Sequence, residues 1–174
     1  MFKRSLPIAC ALVLGASATT VQAATLPCVA AAEAETLVSA LLPDAMRGAG
    51  VACASVLPSS ALIRRPDGPL LQGYQMEADR AWPLATAAIA RLIGPEGAPL
   101  AESTMMRPML AAMIVPAIVA KMKPKDCRAA ERIVSLMAPL PPRNTAALAV
   151  TILQIVQEDP KRATGPIRIC PSAS

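Results

Sequence analysis

The chain contains no histidine at all. That absence removes Ser-His-Asp and Cys-His catalysis, and with them the commonest zinc ligand. Aromatic residues are nearly missing as well: one Phe, one Trp and one Tyr in 174 residues. Nucleic-acid binding wants a dense basic face with aromatic side chains on which bases stack, and neither is visible. Glycine numbers only eight, and no glycine-rich loop follows a strand, so a phosphate cradle has no support. Carboxylates come in the close pairs Glu33/Glu35, Glu77/Asp79 and Glu158/Asp159. Residues one or two apart on a helix do not face each other, so these pairs read as solvated faces rather than acid–base dyads. Nothing in the spacing proposes a Ser–Lys pair either. No catalytic residue, metal ligand set or cofactor is therefore expected, and an enzyme of unfamiliar type is the rival to a binding role.

What is present begins with an address. Lys3 and Arg4 precede an apolar stretch from Leu6 to Ala18, and Val21-Gln22-Ala23 supplies a small-residue cleavage motif. This order is that of a secretory signal peptide, with cleavage after Ala23 favoured and Ala24 second, and the apolar stretch is too short to span a bilayer. Lipidation at Cys10 is not expected, because Pro7 stands where a lipobox has leucine and the apolar stretch runs on past the cysteine. Removing residues 1–23 leaves 24–174, a chain of about 150 residues and a natural size for one domain. The formal charge of +5 falls by two with the leader and stays mildly basic. Alanine and arginine outnumber lysine in the manner of GC-rich bacterial genomes, which makes the periplasm the expected destination. After cleavage four cysteines stay: Cys28, Cys53, Cys127 and Cys170. An even count in an exported chain reads as two disulfides, and none of the spacings is that of a zinc or redox CxxC motif.

Helix is the expected structure throughout, because no segment alternates apolar and polar residues and 18 prolines punctuate an alanine- and leucine-rich chain. One helix is predicted over 26–42, with Ala30, Ala34, Leu37 and Leu41 on one face. A shorter one opens at Pro43 and runs to about Leu57, weakened by Gly48 and Gly50. Residues 58–73 read as a loop around the Pro66-Asp67-Gly68-Pro69 turn. A helix over 75–93, kinked or divided at Pro83, stops at Gly94-Pro95. Another covers 100–122. An amphipathic one covers 125–138, with Cys127, Ala130, Ile133, Val134 and Met137 inside and Lys125, Arg128, Glu131 and Arg132 outside. The last, capped by Asn144, carries Leu148, Ile152, Ile155 and Val156 to about Glu158, before an irregular tail from 159. The fold class is all-α: a compact orthogonal bundle of five or six short helices stapled by two disulfides.

The most apolar segment, 107–127, raises three readings. Its uncharged run, Pro108 to Ala120, reaches only ~20 Å as helix against a ~30 Å hydrocarbon core, so a membrane span is not expected. A buried central helix is. Met105, Met109 and Met113 recur every four residues and share a face, which suits packing, a groove for a small apolar ligand, or soft-sulfur binding of Cu(I). Lys121, Lys123, Lys125, Arg128 and Arg132 form the one cationic cluster, either a docking patch for an acidic partner or anionic lipid headgroups, or a solvated helix end. The expected function is that of a small exported, non-enzymatic helical protein binding another exported protein or a modest apolar ligand. The alternatives are a hydrophobic-ligand carrier and a Cu(I)-handling protein. Cys28–Cys53 and Cys127–Cys170 are the expected disulfides: the second on the premise of a helical hairpin of matched arms, the first on a hairpin whose returning arm is shorter, about one turn short of level, and on pairing in sequence order during export.

Overall fold

The computed structural model describes residues 28–159 and 168–171. The leader, its cleavage site and Cys10 lie outside the described residues, as does most of the tail beyond Asp159. Among the described residues the chain is all-α, with six helices and two disulfides. They are α1 (Ala31–Ala52), α2 (Pro69–Ile93), α3 (Ala98–Ala101), α4 (Met106–Val119), α5 (Asp126–Met137) and α6 (Pro142–Glu158), plus a 3₁₀ turn at Leu62–Arg64. None of the described helices is long and apolar enough to cross a membrane.

Helix α1 is the axis. It is one helix rather than two, with Pro43 fully buried inside it. An interior proline costs about 3 kcal/mol in an isolated helix. Here α2, α4 and α6 all pack on α1, and that burial offsets the cost. Glu33 caps the N-terminus, its carboxylate accepting from the Ala30 N–H at 3.1 Å, where an anion also suits the helix dipole. Helix α2 starts earlier than expected, at Pro69, because Gly68 and a proline in the first turn make a ready N-terminus. It runs unbroken through Pro83 and stops at Gly94, as expected. There φ is 77° and ψ 178°, a region open essentially to glycine alone. The predicted 100–122 helix is divided. Residues 102–105 form a turn in which the Ser103 hydroxyl accepts from the Met105 N–H, a side-chain bond that competes with the helical ladder.

The helices run in directions that three small cores define. Met46 and Cys53 near the end of α1 pack with Leu71 and Tyr74 near the start of α2, so the two helices are antiparallel. At the other end, Glu33 grips Arg91 of α2, which donates from Nε at 2.9 Å and from a terminal nitrogen. Helix α4 runs with α1: Met106 joins Ile89 and Ala101 near one end, and Val115 and Val119 reach Gly48 near the other. Helix α6 runs against α1. Its Thr145 hydrogen-bonds Tyr74 at 2.8 Å, and Val150 packs with Val29 and Ala34. Two glycines read as weak points in α1 are contact points instead. A Cβ on Gly50 would stand 2.0 Å from the carbonyl oxygen of Ile63, and one on Gly48 would stand 2.4 Å from Val115.

These directions overturn the expected disulfides: the bonds are Cys28–Cys170 and Cys53–Cys127. The hairpin premise fails because α1 does not turn at Pro43. Its 22 residues span ~33 Å and hold Cys28 and Cys53 at opposite ends. Cys53 instead meets Cys127 where α5 begins, both side chains buried. Helix α5 rests on the 3₁₀ turn and α6 on α1 and α2, so the two do not form the expected hairpin. Residues 168–171 lie beside the residues that lead into α1. Val29 and Ile169 form a parallel bridge there, and Gln154 and Gln157 bond the backbone at Cys170 and Ile169.

Three side-chain assignments also change. Helix α4 is peripheral rather than central, with only Met106 buried, because α1 has taken the central place. In α5, Ile133 is exposed and Glu131 turns inward to the 3₁₀ turn. In α6, Leu148, Ile152 and Ile155 are exposed, while Thr145, Ala146 and Val150 are buried. The Thr145–Tyr74 bond and the glutamine bonds to the tail fix that rotation. Pro141 and Pro142, not Asn144, begin the helix.

Candidate functional site

The outer side of α4 and the basic turn after it form the surface that stands out. Its inner side is held in three ways. Met106 and Leu110 pack beside Ile89 and Trp82, and Val115 and Val119 lie on Gly48. Arg107 donates to Asp79 of α2 at 2.6 Å and sits over the Trp82 ring at 5.8 Å. With the helix held there, Met105, Met109 and Met113 stand in solvent along one side, Met113 at 70% exposure, and Ile114 and Ile118 are exposed on another. The three methionines do share a face, and it is the outward one. Met105 and Met113 are eight residues apart, ~12 Å along the axis, so one ion is within reach of neighbouring pairs rather than all three sulfurs.

Beyond Val119 the chain turns through Lys121, Lys123 and Lys125, all exposed, into α5, whose exposed side carries Arg128 and Arg132. Among the described residues none of these five cations makes an ion pair. The two acids in the segment bond backbone amides instead. Asp126 accepts from the Lys123 N–H at 2.9 Å. Glu131 accepts from Leu62 and Ile63 N–H groups at 2.7 and 3.2 Å, capping a 3₁₀ turn whose preceding Ala61 has no polar side chain. Five cations against these two carboxylates leave the segment net positive, placed favourably past the C-terminus of α4.

On the inner side, α4 borders an open cleft of about 340 Å³ lined by Asp44, Gln75, Arg107, Pro108 and Ala111. The methionine stripe has no part in it. Two of the lining residues, Asp44 and Gln75, belong to a polar chain. Arg47 donates to Asp44 at 3.1 Å and to Gln75 at 2.9 Å, and Gln75 donates to Asp79 at 2.9 Å. Asp79 is thereby held below the ordinary carboxylate value, first by the hydrogen bond from Arg107 and then by that from Gln75. Glu33 is lowered in the same way, mainly by Arg91. Two carboxylates read from sequence as solvated thus serve as anchors between helices. Two arginines and two aspartates cancel along this chain, which holds α4 against α1 and α2. The i,i+3 and i,i+4 spacings of Asp44/Arg47 and Gln75/Asp79 were visible in sequence. The arrival of Arg107 was not.

No group of three or more metal-ligating His, Cys, Asp or Glu side chains occurs among the described residues. No protein-family model matches this chain, and neither a curated protein nor a solved structure shows significant similarity to it.

Proposed function

We propose that this is an exported, non-enzymatic helical binding protein that docks through the outer side of α4. The observation that carries this reading is the exposure of Met105, Met109 and Met113 as one stripe on a helix firmly fixed from behind. A stripe of exposed large apolar side chains of this kind is the mark of an interaction site. Methionine suits such a role, being flexible enough to fit surfaces of varied shape. The tripartite N-terminal segment and the two disulfides support export to an oxidising compartment, with the periplasm as the proposed location. Engagement of Glu33 and Asp79 by arginines supports the non-enzymatic part, since carboxylates held ionised this way make poor proton shuttles.

The test is a neutral apolar dye added to the native protein and to a Met109→Gln/Met113→Gln variant. Both positions are exposed, so the variant keeps the far-UV spectrum and melting temperature of the parent. Dye fluorescence is expected to fall at least about tenfold, since even half of the ~1.5–3 kcal/mol that full burial of one such side chain is worth, lost at both positions, amounts to that. Undiminished dye binding by a folded variant contradicts the reading.

A further inference from the structure

Resting on that docking role, we infer that the surface α4 docks to is a bilayer bearing anionic headgroups, with the helix lying flat on it. The chemistry of the face favours a hydrocarbon phase. From Pro108 to Ala120 no side chain has a hydrogen-bonding group, and no aromatic residue is present. A protein partner of ordinary interface size asks for about one hydrogen bond per 100–200 Å² and for aromatic or arginine anchors. Arg107, the one candidate anchor, is committed to Asp79 and Trp82. Lipid chains ask for neither. The length of α4 fixes the mode, since 14 residues reach ~21 Å and cannot cross a ~30 Å core.

Charge identifies the headgroups. Lys121, Lys123 and Lys125 follow the apolar helix directly and make no ion pair among the described residues. Asp126, the nearest acid, bonds a backbone amide rather than a lysine, and the segment from Lys121 to Arg132 stays net positive. A net-positive basic segment directly beside an apolar helix is drawn to anionic headgroups. Each lysine near such a surface contributes about fivefold in affinity. The Cys53–Cys127 bond anchors the far end of this lysine stretch to the end of α1, and its near end follows α4 directly.

The experiment is co-sedimentation of the mature chain with vesicles of phosphatidylcholine alone or with 30% phosphatidylglycerol. Binding is expected to the anionic vesicles, to weaken with salt, and to be slight on phosphatidylcholine. Lys121→Gln/Lys123→Gln/Lys125→Gln, whose side chains are all exposed, is expected to lose about 100-fold on anionic vesicles while keeping its dye response. Met109→Gln/Met113→Gln is expected to lose both. A parent protein that binds dye through α4 yet stays in solution with anionic vesicles overturns the lipid assignment, leaves the docking face standing and points to a protein partner. Vesicle binding unchanged in both variants overturns it as well. Loss of dye binding in the parent removes the docking face itself.

Discussion

The α1–α2 pair and the outer helices α4, α5 and α6 distribute their apolar residues in opposite ways. Between α1 and α2 the buried residues are mostly small: Ala34, Ala40, Ala78, Ala81, Ala85 and Ala88. On the outer helices Met113, Leu136, Ile152 and Ile155 are all more than half exposed. Hydropathy alone assigns the core to the wrong helices. Alanine faces let two helices approach closely, and close-packed contact rather than side-chain size determines what is excluded from water. The outer helices touch this pair along narrow strips, Val115 and Val119 on Gly48 or Thr145 and Val150 on α2 and α1, and their larger side chains remain outside. Folding stability resides in the inner pair and its bonds, and the outer surface is left for binding.

The comparison can be broken most forcefully at the Cys53–Cys127 bond, which ties α5 to the end of α1. It closes a loop of 74 residues in sequence separation, worth about 4–5 kcal/mol on the chain-entropy account. Cys53→Ala/Cys127→Ala is expected to lose most of that in denaturant unfolding. Peptide mapping without reductant is expected to return Cys53–Cys127 and Cys28–Cys170. Next is Gly50→Ala. The methyl group meets the Ile63 backbone rather than a movable side chain, and a loss of about 2–3 kcal/mol is expected, well beyond the gain in helix propensity. Gly73→Ala, in open space within α2, sharpens the point by stabilising up to about 1 kcal/mol.

Tyr74→Phe leaves the buried Thr145 hydroxyl without its partner and is expected to cost about 1–2 kcal/mol. Acid has the smallest effect. Glu33 and Asp79 titrate below their ordinary values of 4.5 and 3.8 in the folded chain. The stability they contribute is therefore full above those values and lost as pH falls through the lowered ones. Both carboxylates are partly solvent-screened, so Arg91→Gln and Arg107→Gln are each expected to remove under about 1 kcal/mol at neutral pH. The same variants are expected to lose less against their parent at pH 3, in melts at both pH values.

Locally determined features were legible in the sequence. The bounds of α5 follow from its amphipathic pattern, the stop at Gly94-Pro95 from backbone chemistry, and the all-α class from the absence of alternation. Features set by tertiary contact were not. Pro43 ends a helix by propensity, and only the shell of α2, α4 and α6 keeps α1 intact. The disulfide partners depend on which way long helices run, so an error at Pro43 carried directly into the pairing. The rotation of α6 rests on one Tyr–Thr bond and two glutamines, while its sequence advertises the Leu148/Ile152/Ile155 face. For the candidate site, the methionine stripe and the basic cluster were both visible. Their outward aspect was not, because the same stripe on a central helix would be core.

The central claim is that α4 turns its methionines outward, and limited oxidation with peroxide, read methionine by methionine through peptide mass, tests it most directly. Met105, Met109 and Met113 are 59%, 44% and 70% exposed, whereas Met46 and Met106 are 7% and 5% exposed. Oxidation to sulfoxide follows access to the thioether, so the first three are expected to react at least about tenfold faster than the last two in the native protein. Protection of Met109 and Met113 to the level of Met106, relieved only on unfolding, would contradict the account by returning α4 to the core.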